Sequence, residues 1–185
     1  MTSIGHNGGP TIEGGTGWRT HCWTKARARL LPTLPIEVLR LRVKRAAEVG
    51  LDYRTYASIR AASGHDVIAF LFSTNALRLL APHPALPDDR ATKLASLVAV
   101  GTGALVNAPL TPAGVAQPLA GMPTTQAPRA FAGWSETRAP ILALLREQRW
   151  PADGVVLVGD TMAERDWPAA AKLAYYLPAD RFFAA

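Results

Sequence analysis

Two stretches of this chain, VIAFLF at 67–72 and VVLVG at 155–159, are apolar at every position. A strand with one face in water alternates apolar and polar side chains, so a run without alternation needs cover on both faces. β-Branched and aromatic residues at this length favour strand over helix. Helical stretches separate the runs. DDRATKLASLVAV follows the first, and ETRAPILALLREQRW, capped by Ser135 and carrying Pro140 as an awkward resident, precedes the second. A third strand is expected over Ala104–Asn107, with the Gly-x-Gly of VGTGALV as the turn before it. Residues 109–133 read as one long loop of Pro, Gly, Thr and Ala, and a last helix begins near Glu164. Strands alternating with helices predict a small three-layer α/β domain with a mainly parallel sheet, from about residue 64 to the C-terminus.

Ahead of this Rossmann-like domain (64–185) the sequence predicts a flexible, Gly-rich tail over 1–17 and a basic helical extension over 18–63. In LPIEVLRLRVKRAAEVG, Pro35 suits a first helical turn, Glu37 the helix start and Gly50 its end. Ile36, Leu39, Val43 and Ala46 or Ala47 share one face. Asp52 then reads as the N-cap of a second helix, YRTYASIRAAS, which Gly64 stops. With 49% hydrophobic and 18% charged residues the chain has the balance of a folded domain rather than a disordered one. No apolar run reaches the length of a membrane span, the start does not resemble a secretion signal, and Cys22 stands alone, so a cytoplasmic location is expected.

The charge is unevenly placed. Residues 18–48 carry eight of the twenty Lys and Arg against two acids, Glu37 and Glu48, so the whole net charge of +6 falls in this segment. A local basic stripe predicts an acidic partner, DNA or an acidic protein. RAAEVGLDYRTYASI carries the spacing of a helix-turn-helix, in which Arg40, Arg42, Lys44 and Arg45 would meet phosphates. Tyr53, Arg54, Thr55, Ser58 and Arg60 would then face a groove, with Arg54 and Arg60 as base readers. Tyr56 occupies a position that this motif gives to Val or Ile, and an ordinary helical hairpin packed on the sheet is the competing reading.

In a parallel sheet the strand C-termini share one edge, where ligands of such folds bind. Ser73, Asn75, Asn107, Asp160 and Asp166 are expected to converge there. Two acids after a buried strand, in VVLVGDTMAERDWPAAAKL, suit a metal ion. The alternative is an ordinary helix entry in which Asp160 caps free backbone N–H groups.

That last stretch resembles the fourth motif of the haloacid dehalogenase-like superfamily, a strand ending in Gly-Asp with a second acid shortly after. The resemblance implies a magnesium ion held by Asp160 and Asp166, with Glu164 as a substitute for the latter. The family's first motif is an apolar strand followed by Asp-x-Asp-x-Thr. In VIAFLFSTNAL, Leu71 stands at the nucleophile, Ser73 at the acid–base carboxylate and Asn75 at the threonine. Asn107 stands at the Ser or Thr of the second motif. No Lys lies between Asn107 and Asp160 to serve as the third, leaving Arg129 or Arg138 as the cation. A leucine cannot attack phosphorus. The resemblance therefore implies a non-catalytic ligand-binding or regulatory protein that kept the fold and lost the nucleophile. A magnesium-dependent phosphohydrolase would need another carboxylate near Asp160, for which Asp66 is the candidate.

Overall fold

A computed structural model of the protein describes residues 34–184. The expected tail over 1–17, and the basic residues from Arg19 to Arg29, lie outside the described residues. The chain divides into two compact units, Met1–Leu39 and Arg40–Ala185, and, apart from the first residues of the first helix, the second contains everything that follows.

Five strands form one sheet: β1 (Ala69–Ser73), β2 (Gly101–Val106), β3 (Thr124–Gln126), β4 (Val155–Gly159) and β5 (Tyr175–Pro178), in the order β3-β2-β1-β4-β5. Every pairing is parallel, with Leu71 opposite Gly103 on one side and Leu157 on the other. Alternate residues of the central strands feed two cores. Phe70, Phe72, Val156 and Val158 enter one; Ala69, Leu71, Val155 and Leu157 enter the other. This is the physical content of an apolar run without alternation.

The first core is closed by α1 (Ile36–Glu48), α2 (Tyr53–Ser63), α3 (Asp88–Ala95) and the short C-terminal α6 (Ala179–Phe183). Asp52 caps α2 by accepting from Thr55 N at 3.0 Å, and Gly64 ends it at φ 76°. The second core is closed by α4 (Trp134–Gln148) and α5 (Trp167–Ala171). The basic helical segment expected as an extension thus shares the sheet's core from Ala46 onward.

Several expectations need correction. On α1 only Ala46 is buried, while Ile36 and Val43 are 62% and 47% exposed, because the inward face begins at the last turn and continues through Val49 and Leu51. The Gly-x-Gly before the third strand is not a turn but the start of β2. A Cβ on Gly101 would sit 2.5 Å from the indole of Trp150, so the strand carries glycine to admit that ring. The helix assigned to Ser135 is capped by Gly133 and begins at Trp134, and Pro140 remains inside it. The long loop contains β3, a short polar strand. The helix expected from Glu164 begins at Trp167 and ends at Ala171, where Lys172 turns left-handed at φ 56°, and YYLP becomes β5.

Candidate functional site

The C-terminal edge of the sheet is organised by a side chain that the sequence offered only as a substitute. Glu164, in a 3-10 turn over Ala163–Asp166, is 0% exposed. Its Oε1 accepts from Asn75 Nδ2 at 2.9 Å and from Asn107 Nδ2 at 3.2 Å. Its Oε2 accepts from the backbone N–H of Asp160 at 2.7 Å and of Thr161 at 3.0 Å. One carboxylate thereby ties together the ends of β1, β2 and β4. The backbone N–H groups at the end of β4 are thus held by Glu164, and Asp160 itself is exposed. Gly159 makes room for this. A Cβ there would lie 2.9 Å from Glu164 Oε2 and 2.7 Å from the Tyr176 ring.

The neighbouring polar groups are set by the same contact. Asn107 Oδ1 accepts from Thr74 Oγ1 at 3.1 Å, and Thr74 Oγ1 accepts from Asn107 N at 2.9 Å. Ser73 is fully buried and its Oγ accepts from Ala76 N at 3.1 Å, so it shapes the turn after β1. Asn75 has its Nδ2 fixed by Glu164, which leaves its Oδ1 facing away as an acceptor with no partner among the described residues.

Beside this junction a cleft of about 680 Å³ opens, floored by Asn75, Asn107, Thr161 and Asp166 and walled by the loop 128–132 with Trp134. That size lies within the usual range of small-molecule sites. At its mouth Phe131 is 106% exposed and Trp134 66% exposed. Phe131 also holds φ 61°, a left-handed backbone rarely taken by a bulky residue. Sequence reasoning missed Phe131 and Trp134. Their signal was two aromatics three residues apart, at the end of a long loop.

Of the residues expected at this edge, Asn75, Asn107 and Asp166 line the cleft, Ser73 is buried beneath it, and Asp160 stands on the exposed turn that follows β4. Glu164, the substitute ligand, does not suit a magnesium ion. Both oxygens of Glu164 face N–H donors, which repel a cation, and no group of three metal-ligating side chains occurs among the described residues. Leu71 lies fully buried in mid-strand, and residues 69–80 contain no acid. Arg129 also lines the cleft, whereas Arg138 does not.

Asp66, the candidate replacement for the lost nucleophile, precedes β1 and therefore lies at the opposite edge, about 26 Å from Asp160 at strand rise. It is also occupied: it accepts from Tyr56 Oη at 2.7 Å, Arg45 Nε at 3.1 Å and Val67 N at 2.8 Å. Burial pushes its carboxyl up, but the Tyr56 and Val67 hydrogen bonds and the Arg45 charge outweigh this and hold it below its ordinary value.

The same cluster bears on the basic helices. Arg45 also donates to the carbonyls of Val67 and Ala99, and Arg60 lies 3.9 Å from Asp66. Thr55 and Tyr56 are buried, while Arg40, Lys44 and Arg54 are exposed and Arg42 half-buried. No described helix is long and apolar enough to cross a membrane. Compared with family models, with curated proteins and with solved structures, the chain has no significant match.

Proposed function

We propose that this protein is a non-catalytic ligand-binding protein on a degenerate haloacid dehalogenase-like fold, and that it receives its ligand in the cleft beside Glu164. The observation that carries this reading is the state of the Glu164 carboxylate, fully buried with four N–H donors on its two oxygens. An acid so engaged has no lone pair in a free direction for a metal, and no carboxylate on β1 stands ready to attack. The strand order and the parallel pairing agree with the fold part of the proposal. A cleft with an apolar wall and a few polar groups on its floor agrees with the binding part.

The test has two arms. Purified protein assayed against a panel of phosphomonoesters with magnesium is expected to show no turnover above background, and turnover abolished by Asp160→Asn would overturn the proposal. A fragment library followed by NMR is expected to contain compounds that shift the indole N–H of Trp134. A library with none would leave the cleft without a binding role.

A further inference from the structure

We infer that two copies of this chain pair about a twofold axis at the cleft mouth, each placing Phe131 in the cleft of the other. The inference goes beyond the ligand-binding reading and stands or falls independently of it.

The projecting ring comes first. Ala132 N donates to Arg129 O at 3.2 Å, which makes Phe131 the third residue of a β-turn. Its φ of 61° is the conformation that this position gives to glycine. A phenylalanine there holds strained backbone, and its ring is 106% exposed. Around the same cleft Trp134 is 66% exposed, and Met162, between the cleft-lining Thr161 and Ala163, is 72% exposed. Phe131 and Met162 are the two most exposed large apolar side chains among the described residues. Neither Phe131 nor Trp134 is in ring contact with another described aromatic. Aromatic and Met side chains are enriched in the buried centres of protein interfaces.

The second copy follows from self-complementarity. At a twofold interface one patch meets itself, so a residue that contacts a second on the partner is matched by the same contact in reverse. Such a patch carries a projection together with a recess that admits it, and both signs of charge. This rim carries all four. The Phe131 ring stands beside a cleft of about 680 Å³, far larger than one phenyl ring, so the floor beside Glu164 stays open to a small molecule. Arg129 and Asp166 both line the cleft, and neither forms an ion pair among the described residues, with the other or with any third group. A twofold axis between them sets Arg129 of each copy toward Asp166 of the other. A partner of a different kind would need only one member of each pair.

The experiment is sedimentation equilibrium of the full chain from about 1 to 200 μM. The mass is expected to rise within this range from 19.8 kDa toward twice that value. Phe131→Asn keeps the turn, because asparagine tolerates the left-handed backbone, and should weaken the dimer about thirtyfold or more. Arg129→Asp and Asp166→Arg, made separately, each oppose like charges across the axis and should stay monomeric throughout. Mixed in equal amounts they should form a heterodimer, since each charge then meets its opposite. Far-UV circular dichroism checks that every variant is folded. A wild type still monomeric at the highest concentration, a dimer unaffected by Phe131→Asn, or a mixture no heavier than its separate components would overturn the inference. A mass that grows past the dimer would overturn it as well, because a twofold interface closes at two copies.

Discussion

Replacing Glu164 by alanine and by glutamine separates a hydrogen-bond lock from a side chain that merely fills space. Alanine strands four donors: the amides of Asn75 and Asn107 and the backbone N–H groups of Asp160 and Thr161. A hydrogen bond to a charged acceptor contributes about 1.5–3 kcal/mol, so a simple sum would reach roughly 6–12 kcal/mol. Water entering from the cleft can serve the two Asn amides, which line it, and removing the acid also removes its own desolvation cost. The expected loss for Glu164→Ala is therefore about 3–5 kcal/mol, at the upper end for one substitution and a large part of a domain's total stability. Glutamine behaves differently. Its Oε1 can stay on the backbone N–H groups while its NH2 faces the two Asn side chains. Asn75 can turn its amide over freely, but Asn107 would lose its contact with Thr74 by doing so. One mismatch remains and the charge is gone, which predicts a loss of about 1–2 kcal/mol. Urea unfolding followed by far-UV circular dichroism measures both. A loss under about 1 kcal/mol in Glu164→Ala, or equal losses in the two variants, would refute the lock.

Two further outcomes concern the flanks of the fold. Arg90 is 3% exposed, its Nε and Nη1 have no hydrogen-bond partner among the described residues, and its guanidinium lies 3.8 Å from the centre of the Phe183 ring, with Asp89 Oδ2 3.5 Å from Nε. Burial and the nearby Arg78 push its pKa down, and Arg90→Met is expected to be neutral or stabilising by up to about 2 kcal/mol in the same unfolding assay. A loss above about 1 kcal/mol would show that the ring and Asp89 compensate for the buried charge. Asp66 has a folded-state carboxyl below its ordinary value of 3.8. Its contribution is therefore complete above that pH and fades as the pH falls through the lower, folded value. Asp66→Asn should be less stable at neutral pH and show a shallower loss of stability on the acid side, and an unchanged acid limb would sink this account.

The apolar runs made the sheet legible because burial on both faces leaves a mark that needs no tertiary knowledge. β1 and β4 fall within two residues of their expected limits. β3 and β5 left no such mark. Thr124–Gln126 is polar on an edge, and the Tyr175–Pro178 strand follows so closely on α5 that alanine-rich sequence obscures the break at Lys172. The candidate site was legible in position and wrong in emphasis. Asp160, two residues ahead of Met162 on an exposed turn, attracted attention through its place after the strand. Glu164 needed the geometry of a 3-10 turn, folding back over Gly159, before its role could be seen.

Whether an acid at the end of β4 holds a metal or a lock depends on what faces it from β1 and β2. Carboxylates on both sides repel, and a dication between them relieves the repulsion. Amides on one side supply hydrogens directly, and a cation inserted there would meet the Nδ2 groups of Asn75 and Asn107. The distinction is testable by changing one atom type. Asn75→Asp would place a second carboxylate where Nδ2 now lies 2.9 Å from Glu164 Oε1. In EDTA that variant should melt well below the wild type, since two close carboxylates cannot both stay charged cheaply. Millimolar magnesium should restore part of the loss, each kcal/mol recovered raising the melting temperature by roughly 2–4 °C. The wild type, whose acid is already saturated with N–H donors, should melt at the same temperature with magnesium or EDTA. A magnesium-dependent rise in the wild type equal to that in Asn75→Asp would mean that Glu164 gives up its hydrogen bonds for a metal, and the reading of the junction as a lock would fail with it.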